Sequence, residues 1–367
     1  MRGVEKAIRD CVGFLFGHQS ESGCWTDWDL PPGRSSPWTT AYVGARLAEL
    51  PGDVKASAGP ALRAGARWLL EHERDGGGWG YDDRVACDGD STAQAVLFLA
   101  LEGIPVADAT RARLLGFEQP GGGFSTYAAD EGLGSWGRAH PDVSPAAAQA
   151  LLKLSAARDP AVERTVQYVV TARTPNGLWN SFWWSSPLYA TRASLSLLRA
   201  VGTPIDLEAT RGALRRLAPA NSFERALLLE SLHLAAGARD SDLANTLAKQ
   251  LVEDQLDDGS WASAPVLRVT SRDCSAPWEC ANPGRLYADT DRLFTSATVL
   301  SALARHAHGT VEVLQAASAS GSASKGSSWA RTPLFPIANA ATAPRATTPA
   351  PIATAAFIPL TNVSGVR

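Results

Sequence analysis

Two carboxylates one residue apart, Asp88 and Asp90, stand between the turn Gly77-Gly78-Trp79 and an apolar run, Ala95-Val96-Leu97-Phe98-Leu99-Ala100-Leu101. Ser91-Thr92-Ala93-Gln94 joins the pair to that run, so both carboxylates fall in the loop and first turn of a largely apolar helix. Three chemistries suit that place. Asp and Ser are favoured helix caps, because a short side-chain oxygen accepts the free N–H groups of the first turn. A carboxyl in an apolar site beside a second carboxylate instead keeps its proton at neutral pH and can act as a general acid. Asp82, Asp83, Asp88 and Asp90 could also act together as oxygen ligands for Mg²⁺ or Ca²⁺. Spacing alone favours the cap.

The elements that hold this stretch form a repeat. Gln19…Gly23-Cys24-Trp25, Glu73…Gly77-Gly78-Trp79, Glu118…Gly122-Gly123-Phe124, Arg173…Gly177-Leu178-Trp179 and Gln255…Gly259-Ser260-Trp261 share one register. In each, a polar side chain precedes an aromatic by six residues and a glycine precedes it by two. Glycine permits the positive φ that stops a helix, the polar group can bond the freed backbone, and the aromatic covers the junction. An amphipathic helix precedes each unit (61–71 and 162–171 are examples), and a more uniformly apolar helix follows, over 39–50, 91–101, 145–154, 188–201 and 292–305. A further pair, 207–217 and 223–236, lacks the glycine turn. Six helical hairpins with an apolar inner set predict an all-α (α/α)6 barrel whose inner helices all begin on one face. That face should carry Trp38, Tyr81, Asp88, Asp90, Tyr127, Trp136, Phe182, Trp183, Trp184, Tyr189, Trp278, Tyr287 and Asp291. Asp289-Thr290-Asp291 reads as a cap of the last inner helix. The repeat tryptophans read as structural, as do His18 and His233.

Composition bounds the rest. Apolar residues make up 45% and charged residues 19% of 367, enough for a sizeable core, and a net charge of −3 with both signs mixed gives no case for nucleic acid. No run is long enough to span a bilayer, and the charged, amphipathic start has no signal-peptide core. Five scattered cysteines suit a reducing cytoplasm. The barrel is expected over 1–312. A tail over 313–367, rich in Ala, Ser, Thr and Pro, is expected to be disordered.

With those motifs in hand, the chain resembles the catalytic β domain of class II terpene cyclases, the superfamily of squalene-hopene cyclases and of labdane- and drimane-type diphosphate cyclases. The turns resemble its QW repeats, and Gly77-Gly78-Trp79 through Asp88-Gly89-Asp90-Ser91-Thr92-Ala93 resembles its Asp-x-Asp-Asp-Thr-Ala acid motif. Asn176-Gly177-Leu178-Trp179 with Leu188-Tyr189-Ala190-Thr191, and Phe294-Thr295-Ser296-Ala297-Thr298, resemble later repeats of the hopene cyclases. The likeness covers about residues 1–310 and turns the balance at Asp90 from cap to acid. Ser91 departs from the motif's usual final Asp, Gln149 falls where hopene cyclases have an acid-bonding histidine, and no γ domain follows.

The resemblance implies protonation of a linear isoprenoid, a prenyl diphosphate in particular, by Asp90, with Asp88 as its partner and Ser91 or Gln149 orienting the proton. Tyr127, Trp136, Phe182, Trp183, Trp184 and Tyr189 are the expected cation-stabilising rings, and Arg34, Arg84, Arg138, Arg285 and Arg292 the candidates for a diphosphate. Protonation needs no cofactor; a diphosphate could bring Mg²⁺. A γ-like partner chain, a homodimer or the tail would close the cavity, and peripheral membrane contact is compatible. The alternatives are a non-catalytic isoprenoid-binding barrel or subunit, and a zinc prenyltransferase subunit. The latter would have to use Asp273, Cys274, Cys280, His306 and His308.

Overall fold

A computed structural model describes residues 3–129, 132–154, 159–236 and 242–308. The tail expected over 313–367 lies outside the described residues. Among the described residues twelve α-helices pair in chain order, outer then inner: α1 (Val4–Gly17) with α2 (Pro37–Ala48), α3 (Gly52–Glu71) with α4 (Gly89–Leu101), α5 (Asp108–Leu115) with α6 (Ser144–Leu154), α7 (Pro160–Thr171) with α8 (Leu188–Ala200), α9 (Glu208–Arg216) with α10 (Ser222–Ala236), and α11 (Asp242–Glu253) with α12 (Leu293–His308). The inner helices pack each on the next, and α12 returns to α2, so the barrel closes. The expected all-α toroid of six hairpins is observed.

The inner helices are buried nearly all round (every residue of α2 is) while the outer ones bury one stripe, as with Ala7, Ile8, Cys11 and Leu15 of α1. The turns explain the closure. Each turn tryptophan gives its indole N–H to a carbonyl of the helix before it: Trp25 to Leu15 at 2.7 Å, Trp79 to Leu69 at 2.8 Å, Trp179 to Val169 and Trp261 to Leu251 at 2.6 Å. The same residues' backbone N–H groups bond hydroxyls near the start of the inner helix that follows, Thr40, Thr92, Thr191 and Ser296. The polar residue reaches sideways to the next outer helix. Gln19 Nε2 bonds Ala61 O at 2.9 Å, and Gln255 Nε2 bonds Ala7 O at 2.9 Å, which joins α11 back to α1. Gly259 has φ +90°, and a Cβ there would come 2.5 Å from Asp10 O, so no other residue fits the closing seam. In the hairpin without a glycine turn, Arg225 on α10 instead pairs with Asp254 beyond α11.

Two small antiparallel ladders, not expected from the pattern, sit in the loops before inner helices: β1 (Asp27–Leu30) with β2 (Gly33–Ser35), and β3 (Leu267–Val269) with β4 (Arg285–Tyr287). The loop between β3 and β4 carries a Cys274–Cys280 disulfide. Cys11, Cys24 and Cys87 are free, so the disulfide departs from the expectation of a reducing cytoplasm drawn from the scattered cysteines. Among the described residues no helix is long and apolar enough to cross a membrane.

Candidate active site

The first turn of α4 is held from three sides. Trp79 O accepts Asp88 N–H at 3.0 Å, Thr126 O accepts Gly89 N–H at 2.6 Å, and Thr92 Oγ1 accepts Trp79 N–H at 3.1 Å. The repeat turn thus places the carboxylates, and the 124–127 loop brings Tyr127 beside them. Asp88 proves to be the cap: its Oδ1 accepts Ser91 N–H and its Oδ2 accepts Ser91 Oγ–H, both at 2.7 Å. Burial nevertheless pushes the Asp88 carboxyl up to about 7, against those bonds.

Asp90 sits two residues further on with its Oδ1 sealed from solvent and without a hydrogen-bond partner among the described residues. Burial lifts it well above the usual carboxylate range. The charges of Asp88 and Asp142 push the same way, and the Trp38 indole and Gln94 amide oppose them. Such a carboxyl is an acid at neutral pH.

Aromatic rings surround it in two groups. A rim runs Tyr127, Trp136, Trp183, Phe182 with successive centroids 5.9, 5.5 and 4.9 Å apart, and Phe182 stacks on His140 at 3.9 Å. Deeper, Trp184 stacks on Tyr189 at 4.3 Å and on Phe223 and Phe294 at 5.2 Å, with Trp28 and Trp38 against the same rings. Tyr127 and Tyr189 are both raised by burial, and an ionised Asp90 would raise each further, so its carboxyl lies within electrostatic reach of both groups. Below the rings lies a cavity of about 20 Å³ walled by Gln94, Asp142, Gln149, Tyr189, Arg192 and Glu230, room for about one water. Under it Arg192 and Glu230 form a buried ion pair, with Ser301 Oγ donating to Glu230 at 2.6 Å.

Several expected roles change. The Ser91 hydroxyl serves Asp88, so it does not hold the proton of Asp90. Gln149 lies on the cavity wall, but its amide donates to Pro145 O at 3.2 Å and accepts from Ser196 at 3.1 Å, turned along its own helix and α8. Arg34 pairs with Asp291, Arg84 with Asp82 at 3.0 Å, and Arg292 with Asp258 at 2.9 Å beside Phe14. Arg285 lies over the Tyr287 ring at 4.9 Å, and Arg138 is exposed. Three of the five are thus paired with carboxylates, and none of the five lines the cavity. Trp278 is 46% exposed on the disulfide loop and belongs to neither ring group.

The metal readings also change. Among the described residues no three His, Cys, Asp or Glu side chains stand close enough to share an ion. Asp82 is bonded to Arg84 and to the Arg84 and Val85 N–H groups, and Asp88 to Ser91. Cys274 and Cys280 spend their sulfurs on each other, His306 meets His233 at 3.2 Å and His308 meets Glu5 at 3.3 Å, so the zinc set is dispersed.

Three residues were not foreseen. Asp142 is buried just before α6 and accepts Trp183 N–H at 2.7 Å; burial pushes it up to about 6. Its signal was its place at the start of an inner helix, two residues before α6. Asp27 on β1 caps α12 by accepting the N–H groups of Asp291, Leu293 and Phe294, while Asp289 caps the same helix through Thr295 as expected. Trp28 enters the ring cluster at φ +59°, held by Tyr81 Oη–H to its carbonyl at 2.9 Å.

No protein-family model matches the chain. A terpentedienyl-diphosphate synthase of Kitasatospora griseola is 36% identical over 107 residues, 27% of this chain. The match spans only about a fifth (19%) of that relative's length. The type II terpene cyclase MstE from Scytonema superposes with a TM-score of 0.71 at 27% identity, covering 83% of this chain and 98% of that one. Variants of MstE have been solved with a substrate, geranylgeranyl dihydroxybenzoate, and with a product, merosterolic acid A. The ent-copalyl diphosphate synthase of Streptomyces platensis shares the fold alone, with a TM-score of 0.53 at 19% identity over 74% of this chain and 50% of that one. The chain has the barrel fold of the class II terpene cyclases.

Proposed function

We propose that the chain is a class II, protonation-initiated terpene cyclase with Asp90 as its general acid. The observation that carries this reading is the sealed, unpartnered Asp90 Oδ1 among aromatic rings, where burial keeps the carboxyl protonated. In this reading Asp90 gives its proton to the terminal double bond of a linear isoprenoid. The cation then moves over the faces of Tyr127, Trp136, Phe182, Trp183, Trp184 and Tyr189, each contributing about 1–2 kcal/mol of cation–π stabilisation in a dry site. Asp88 keeps the helix start rigid and its charge makes Asp90 a stronger holder of the proton. Asp90 therefore gives it up only to a group already bound against it.

A cavity of about 20 Å³ does not hold such a chain, so binding requires the deep rings to part. The relative that is a terpentedienyl-diphosphate synthase supports a diphosphate head, the ion pairs of Arg34, Arg84 and Arg292 weigh against those three as its ligands, and the substrate of MstE supports a prenylated aromatic acid as an equal candidate. We place the protein in the cytoplasm, with the barrel over 1–312 as its working domain.

The test is incubation without added metal with farnesyl and geranylgeranyl diphosphates, squalene and geranylgeranyl dihydroxybenzoate, read by mass spectrometry. A cyclised isomer of one substrate is expected. Binding without conversion of any would instead favour a non-catalytic isoprenoid-binding barrel.

A further inference from the structure

We propose that Asp142 is a second catalytic residue of this barrel, the carboxylate that removes the proton from the final carbocation. The proposal rests on the cyclase reading above and names the group that ends the reaction Asp90 begins.

The argument starts from how the buried aspartates use their oxygens. Asp27, Asp88 and Asp289 each engage both carboxylate oxygens in capping bonds. Among the described residues, Asp90 and Asp142 are the two aspartates that keep one oxygen sealed from solvent and unbonded. A purely structural aspartate in this protein is saturated; these two are not. They stand before or within the first turns of neighbouring inner helices, α4 and α6, and the charge of Asp142 bears on Asp90.

Their surroundings set them to opposite tasks. Each has an unbonded Oδ1, but the charges that bear on Asp90 are those of two other carboxylates, Asp88 and Asp142. Asp142 Oδ2 accepts the Trp183 N–H at 2.7 Å, and the charge of Arg268, itself buried with its Nη1 on Phe182 O at 3.3 Å, favours the ionised form. A pair of carboxyls whose environments differ in this way divides into an acid and a base. Asp142 also touches the ring system directly. It holds the backbone of Trp183, whose indole N–H is fixed to Thr126 Oγ1 at 2.7 Å, and it lines the cavity together with Gln94 and Tyr189. A cation held by those rings presents its neighbouring C–H bonds to the free Oδ1.

The step balances. The C–H bond next to the cationic carbon breaks, its electron pair becomes the new C=C bond, and the proton forms the O–H of Asp142. Asp90, left ionised by the first step, regains a proton and Asp142 loses one to solvent as the product departs, so the sum is an isomerisation.

The experiment compares Asp142→Asn and Asp142→Glu in the full chain. Asparagine still offers an oxygen to Trp183 N–H but cannot act as a base; glutamate keeps the base. The expected result for Asp142→Asn is continued consumption of substrate, with the wild-type alkene reduced about 100-fold or more and replaced by water-captured alcohols. Asp142→Glu is expected to restore part of the wild-type product. A residue that merely anchors Trp183 would give the reverse pattern, with asparagine tolerated and glutamate not, and that result overturns the proposal. An unchanged product at an unchanged rate in Asp142→Asn also overturns it while leaving the cyclase reading intact. A wild-type chain that converts no isoprenoid overturns both.

Discussion

Ser91 gives both its backbone N–H and its hydroxyl to Asp88, each at 2.7 Å, and so leaves Asp90 without a donor from the turn they share. The two carboxylates of one short motif are thereby separated in role. Asp88 holds the helix and Asp90 holds the proton.

That separation predicts different losses at neighbouring positions. Asp88→Ala should lower stability by about 1 kcal/mol, the usual cost of an N-cap, seen as a lower melting temperature. Ser91→Ala should do the same to a smaller extent and leave turnover within a few-fold. Loss of turnover on Ser91→Ala without a change in melting would return the proton-orienting role to that hydroxyl.

The pH dependence of stability should run opposite to that of most proteins. Burial raises Asp88 to about 7, Asp289 to about 7 and Asp142 to about 6, and lifts Asp90 as well. The folded chain therefore binds more protons than the unfolded chain between about pH 4 and 7. The stability linked to these groups is complete below the unfolded value and is lost as pH rises through the folded ones. Glu230, lowered to about 2 by Arg192 despite its burial, acts only at the acid extreme. Thermal melts from pH 4.5 to 7.5 should show a falling midpoint, and Asp289→Asn should flatten the slope. A midpoint that climbs across this range would contradict these protonation states.

The turn tryptophans should matter for folding and not for chemistry. Trp179→Phe removes the N–H that meets Val169 O and leaves a buried carbonyl unpaired, at a cost of roughly 1–3 kcal/mol. Its product profile should match the wild type. A new product from this variant would place Trp179 among the cation-stabilising rings.

Sequence legibility followed the range of the interactions. The twelve helices and their inner and outer roles could be read because hydrophobic periodicity and the glycine-aromatic turns are local signals. Asp27 capping α12 could not, since it joins a β-hairpin to residues about 265 positions away with no motif at either end. The arginines named for a diphosphate were chosen for their face, and position on a face says nothing of which carboxylate already holds them. Asp142 was passed over because one aspartate before a helix reads as an ordinary cap until its second oxygen is seen to be unbonded. Within the site, Asp90 was legible as a candidate acid, whereas the division of labour with Asp88 required the positions of Ser91's two donors.

The disulfide gives a count to check. Alkylation of the denatured, unreduced chain should modify Cys11, Cys24 and Cys87, and reduction should expose Cys274 and Cys280 as well. Five reactive thiols before reduction would place the 274–280 loop in its open form.

The most direct test of the central claim is turnover by Asp90→Asn measured beside the wild type on a substrate that the wild type cyclises, with melting curves recorded for both. Protonation by Asp90 predicts a loss of about 10²–10⁴-fold or more, with the melting temperature unchanged or raised because a buried ionisable group has been removed. Cyclisation at the wild-type rate by the asparagine variant would contradict it.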